Sequence, residues 1–235
     1  KREFERGKIN VSSAGTLLSF MEKPNFKMSF GFAQYCAEGN LCGDTIKTIN
    51  DSRGHMVFII SDGMGKGSRA ALDGAMGAGL LSKLLSAGFG FDSSLKVVNS
   101  ALLVKSHEES LATLDCVRVD LFSGKCEFYK AGAPRSYIVK DDRLTKCELT
   151  SMPAGILRGV EFAKRTTVLN TDDEIIMMSD GVTDVGNEWL EKFLRLETTL
   201  EPNEKAKAIL KIALENSDEK HRDDMSVIVA KMIER

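Results

Sequence analysis

Residues 56–63 read MVFIISDG, and residues 175–181 read IIMMSDG. Each is an unbroken apolar run followed by Ser, Asp and Gly. Runs this short bounded by turn residues read as buried strands. An aspartate at the mouth of such a strand is held rigidly while still reaching solvent.

Working outward from Asp62, DTIKTIND (44–51) and HMVFIISD (55–62) are joined by Ser52, Arg53 and Gly54 and form a hairpin. From Gly67 to Ala87 the spacing of Ala71, Ala75, Ala78, Leu81 and Leu85 predicts a helix. A second helix is expected from Phe91 to Glu109, with Leu95, Val98 and Leu102 on one side. Strands follow at 111–122, 124–129, 136–139, 143–149, 160–169 and 173–178. Helices are expected over 188–194 and 204–216, and a last strand over 225–233. This order gives an α+β fold with largely antiparallel sheets covered by helices. Residues 1–25 differ in character and are expected to be a connector or regulatory helix ahead of a domain at 26–235.

The 235 residues suit one large domain, and 43% hydrophobic content supports a core without disulfides. With 32 basic against 34 acidic residues, the net charge of −2 argues against disorder and against a coat for nucleic acid. No apolar run is long enough for a membrane span, and the basic, polar start is not a signal peptide. The five cysteines contain no Cys-x-x-Cys pair and read as reduced thiols of a cytoplasmic protein.

Four aspartates stand at strand ends: Asp44 in CGDT, Asp62, Asp180, and Asp223 in HRDDMSVIVA. Converging carboxylates repel one another unless a cation lies between them. An all-oxygen set suits Mg²⁺ or Mn²⁺ rather than zinc. Asp-Gly after a strand is also a common turn, and the residues alone leave both readings open. The segment after Asp62, GMGKGS, fails the spacing of a phosphate-binding P-loop. His55, His107, Trp189, Lys66 and Arg69 read as surface or packing residues, and so does His221, although it lies near Asp223. Gly74, Gly77 and Gly79 weaken a helix; they imply either close packing or a movable element attached to Asp62.

Taken together and in order, GD, SDGMGKG, SDGVTD and RDDMSVIV resemble the signature segments of the PPM family, the protein phosphatase 2C-like metal-dependent serine/threonine phosphatases. The likeness runs from about Phe26 to Ile233 and is closest to the bacterial branch acting on sigma-factor regulators. It implies an αββα sandwich of two central, mostly antiparallel sheets, and two Mn²⁺ or Mg²⁺ ions. It further implies Asp62 touching both ions, Gly63 lending its carbonyl, Asp44 serving the first ion, and Asp180 and Asp223 the second. Hydrolysis would proceed by attack of a water bridging the metals. The implied substrate is a phosphorylated anti-anti-sigma factor controlling sporulation, with membrane spans elsewhere in the full protein and homodimerisation left open. The alternatives are a catalytically silent module of the same fold or a hydrolase of small phosphoesters.

Two positions depart from the pattern. Residues 37–43 hold no base where relatives acting in eukaryotes often have a phosphate-gripping arginine. Asp224 stands where many relatives have Asn, and a supporting role behind the ligands is open to it.

Overall fold

The strand that carries Asp62 is buried on both faces because it lies inside a layered sandwich. Val57 and Ile59 look toward helices, while Met56, Phe58 and Ile60 look toward a second sheet. The structure, a computed structural model, describes residues 4–13, 15–39, 41–51, 53–65, 67–105, 111–141, 143–159, 161–186 and 188–235.

In chain order the elements are β1 (Phe4–Ser12), β2 (Gly15–Glu22), β3 (Phe26–Tyr35), β4 (Asp44–Asn50), β5 (His55–Asp62), α1 (Gly67–Ser86) and α2 (Phe91–Lys105). Then come β6 (Leu114–Asp120), β7 (Lys125–Ala131), β8 (Ser136–Lys140), β9 (Arg143–Cys147), β10 (Ala163–Val168) and β11 (Glu174–Met178). The short α3 (Asp180–Thr183), α4 (Glu188–Leu196), α5 (Pro202–Asn216) and β12 (Met225–Glu234) complete the fold.

One five-stranded sheet has the order β10-β7-β6-β5-β4, and the other β3-β12-β11-β8-β9. Every described ladder in both is antiparallel. Three apolar layers follow: α1 and α2 on the first sheet, the space between the sheets, and α4 and α5 on the second. This is the expected αββα sandwich.

The sheets are also tied by a buried polar knot. The Lys130 ammonium on β7 donates to Asp115 Oδ2 on β6 at 2.6 Å, to Pro134 O at 2.6 Å and to Ser136 Oγ on β8 at 2.8 Å. All three ammonium protons find acceptors, the condition under which a buried charge is tolerated.

The N-terminal expectation is corrected. Residues 4–22 form a β-hairpin, β1 with β2, rather than a helix. Its register closes at Ser12 opposite Gly15, where φ is +139° and a side chain is disfavoured. The polar stretch around Ser12 and Ser13, which resembles a helix cap, is the hairpin turn. Phe4, Ile9, Val11, Leu18 and Phe20 on this ribbon are exposed.

Smaller differences have local causes. Pro202 starts α5 two residues before the expected Glu204, because its fixed φ suits the first helical turn. The expected end of α2 at Glu109, with His107, lies outside the described residues, as does Lys66.

Candidate active site

Asp44 and Asp62 face each other as the last register pair of the β4–β5 hairpin. By strand alternation Asp62 continues the face of Phe58 and Ile60, which looks onto the second sheet. From that second sheet come Ser179 and Asp180 at the end of β11, and Asp223 and Asp224 just before β12. Ser179 N donates to Ser226 O at 3.0 Å and Ser226 N to Ser179 Oγ at 2.9 Å, which locks the two segments together. Gln34 on β3 adds bonds to Asp44 O at 3.1 Å and Ser226 Oγ at 3.0 Å. Asp62 is anchored on its other side, since Thr113 N donates to Asp62 O at 2.7 Å. Four separate stretches of chain thus meet at one end of the sandwich.

The electrostatics record that meeting. Burial, followed by the charges of Asp44, Asp180, Asp223 and Asp224, pushes the Asp62 pKa up to about 8. Burial likewise pushes Asp44 up to about 6; the Ser179 and Ser226 hydroxyls partly oppose this, and Asp180 and Asp224 add to it. Neither Asp44 oxygen closes a hydrogen bond of ordinary geometry, although both are buried. Asp180 is also raised, by burial first and then by Asp184 and Asp223.

Buried carboxylates without partners are costly. Among the described residues no three of His, Cys, Asp and Glu stand in a finished metal cage. The aspartates act on one another through their charges, and an all-oxygen set of this kind suits a hard divalent cation rather than zinc. The sequence-derived residues Asp44, Asp62, Asp180 and Asp223 all fall in this cluster.

Gly63 belongs to it by packing. A Cβ there would overlap the Ala70 carbonyl oxygen and lie 2.7 Å from Gly74 N, so α1 rests directly on the backbone that follows Asp62. Gly74 in turn abuts Gly43 O, whose other neighbour is Gly63 N, a donor to it at 3.1 Å. Close packing therefore accounts for Gly74, and the Ser61 hydroxyl beside Gly77 accounts for that glycine. Gly79 faces open space.

Two further residues matter here. Asp184, one turn beyond Asp180, acts on it more strongly than Asp223 does; the spacing of Asp180 and Asp184 in SDGVTD was the available signal, hidden because so short a helix has no periodicity. Asp224 holds the loop that leads to Asp44, accepting from Ala37 N at 2.7 Å and Gly43 N at 2.5 Å. Asp224→Ala would orphan the N–H of buried Gly43 and is expected to cost about 1–3 kcal/mol, measured by urea unfolding. Asp224→Asn keeps one acceptor oxygen and is expected to cost less than half as much.

His221 is exposed and paired with Asp218 at 2.7 Å, while His55 lies between Asp51 and Arg118, with Nδ1 3.0 Å from Asp51 Oδ2. Trp189 packs with α4 on the second sheet.

The chain is similar to known proteins in both sequence and fold. The family model of stage II sporulation protein E (SpoIIE) matches residues 52–233. Stage II sporulation protein E of Bacillus subtilis is 28% identical over 92% of this chain and 27% of its own length. That of Priestia megaterium is 31% identical over 83% of this chain and 34% of its own length. The chain thus spans about a quarter to a third of these relatives. The structure of the PP2C phosphatase domain with a fragment of the regulatory domain of SpoIIE from B. subtilis superposes with a TM-score of 0.84. It is 26% identical and covers 98% of this chain and 72% of its own. The catalytic domain of the serine/threonine phosphatase PstP, solved in complex with two manganese ions, shares the fold at a TM-score of 0.71 and 19% identity, covering 88% of this chain and all of that one. On the family match and the shared architecture, the chain belongs to the stage II sporulation protein E family and corresponds to its PP2C-type phosphatase domain.

Proposed function

We propose that this domain is a divalent-cation-dependent protein serine/threonine phosphatase that removes phosphate from a phosphorylated anti-anti-sigma factor. The observation that carries the reading is the convergence of Asp44, Asp62, Asp180 and Asp223 at one mouth, with the buried Asp44 carboxylate closing no hydrogen bond of ordinary geometry. Asp62, Asp44 and the Gly63 carbonyl would hold one Mn²⁺ or Mg²⁺, and Asp62 with Asp180 and Asp223 a second. Bound there, the cations would supply Lewis acidity to a water and to the phosphoryl oxygens.

The chain's own groups do the rest. Asp62 and Asp44 hold their carboxyl oxygens at fixed positions at the end of the β4–β5 hairpin. The Ser179–Ser226 lock holds the β11 and β12 segments that carry Asp180 and Asp223 together within the second sheet, and Gln34 ties that sheet to Asp44 on the first. Asp184 stands behind Asp180 and maintains its demand for a cation. The substrate serine leaves toward solvent, since the cluster lies at the open end of the sandwich. Among the described residues no helix is long and apolar enough to cross a membrane. The domain aligns with about a quarter to a third of each curated relative, and we take it to work in the cytoplasm as one part of such a longer protein.

The test offers a phosphoserine protein and p-nitrophenyl phosphate to the purified chain with Mn²⁺, with Mg²⁺ and with EDTA. Phosphate release from the phosphoprotein is expected with either cation and is expected to vanish in EDTA. Release that survives EDTA, or none in any condition, would overturn the reading.

A further inference from the structure

The loop at 37–43 holds no base, and two of its amides are already engaged, since Ala37 N and Gly43 N both donate to Asp224. Any side-chain cation that meets a phosphoryl group at the acidic mouth therefore comes from elsewhere in the chain. Beside the mouth lies a cleft of about 210 Å³ whose walls include Tyr35, Glu38, Lys220, Arg222, Asp223 and Asp224.

Arg222 is the rigid cation of that cleft. Its Nε donates to Ser217 Oγ at 2.7 Å and its Nη2 to Leu214 O at 3.0 Å. Its guanidinium carbon lies 5.5 Å from the centroid of the Tyr35 ring. All three contacts are with neutral groups. Among the described residues no carboxylate lies within salt-bridge distance of Arg222, although it is half-buried, adjoins two aspartates and acts through its charge on exposed Asp218. Nη1 and the second Nη2 proton are left over, and a guanidinium held this way is already ordered for paired hydrogen bonds to a phosphate. Lys220 lines the same cleft but is exposed, and a lysine offers only a mobile point charge. Arg69, on the first turn of α1, is exposed and lies outside the cleft walls.

We propose that Arg222 is the phosphate-gripping residue of this site, taking the phosphoryl oxygens from the cleft side while the carboxylate cluster serves the opposite side. The inference rests on the phosphatase reading, and it assigns to the 217–224 segment the role that the 37–43 segment lacks the residue to fill.

The test measures binding of inorganic phosphate by calorimetry in the presence of Mg²⁺ for the unmodified chain, Arg222→Met and Arg222→Lys. Binding of Mn²⁺ is followed separately by its electron paramagnetic resonance signal. Arg222→Met is expected to weaken phosphate binding about tenfold, the scale of a lost charge-assisted contact, with Mn²⁺ affinity changed less than about twofold. Arg222→Lys, which keeps the charge and the stem, is expected to fall between the two. Unchanged phosphate affinity in both variants would overturn the assignment. So would a loss of phosphate binding matched by an equal loss of Mn²⁺ binding, since Arg222 would then act by positioning Asp223. If the unmodified chain binds phosphate but hydrolyses no phosphoprotein, the phosphatase reading fails while the comparison of variants still decides the role of Arg222.

Discussion

Asp62→Asn is expected to lower phosphate release from a phosphoserine protein by about 10³-fold or more while leaving the fold intact. The amide matches the carboxylate in size but carries no charge. Asp62 is the residue on which Asp44, Asp180, Asp223 and Asp224 all act, so it is where the two halves of the cluster meet. Removing its charge leaves only a neutral amide oxygen at the point on which the other four aspartates act. The same change is expected to stabilise the cation-free protein, because a mutually repelling buried carboxylate disappears. A rise of roughly 2–4 °C in melting temperature in EDTA corresponds to about 1 kcal/mol for a chain of this size. Single-turnover phosphate release and melting curves in EDTA check the two halves of the prediction. Lost activity together with lost stability would mean that Asp62 serves the fold rather than the chemistry.

Gly63→Ala is expected to act in the opposite sense, striking stability first. The added methyl would overlap the Ala70 carbonyl and crowd Gly74 N at 2.7 Å, and these are backbone atoms of α1 that no side-chain rotation can clear. Either α1 lifts from β5 or the Asp62 end of β5 bends away. A cost of about 3 kcal/mol or more follows from overpacking of this kind. That corresponds to a fall in melting temperature of roughly 6–12 °C. Gly79→Ala, on the same helix but facing open space, is the control and is expected to be neutral or stabilising by up to about 1 kcal/mol. Equal effects at the two positions would show that the contact of Gly63 with the α1 backbone does not set the cost there.

The contrast between Gly63 and Gly79 marks what the sequence could disclose. The grammar of apolar run, Ser, Asp and Gly located both central strands, because burial on two faces leaves few polar residues to confuse the pattern. Asp62 and Asp180 close that grammar, whereas Asp44 opens β4 and Asp223 stands just ahead of β12. Which glycines touch a neighbour, and which merely weaken a helix, depends on partners far away in sequence. Nothing local separates Gly74 from Gly79. The hairpin at residues 4–22 was hidden for a different reason: its ribbon exposes apolar side chains such as Phe4, Leu18 and Phe20, so no clean inside–outside alternation marks it. Arg222 was passed over because its value lies in what it does not bind. A missing ion pair is visible only once the surroundings are assembled.

The position of β12 has a consequence for biosynthesis. It lies between β3 and β11, so the first strand of the second sheet has no described neighbour in that sheet until the last one arrives. During translation the helix-covered first sheet, β4 to β10, can assemble from chain already made, whereas β3 must wait for Met225–Glu234 to leave the ribosome. Asp223 arrives with that same strand. A nascent chain would therefore carry the Asp44–Asp62 half of the acidic mouth well before it carried the other half. Nonsense or frameshift lesions ahead of Asp223 would leave both β3 and β11 with open edges, a recipe for aggregation rather than for a truncated but soluble product.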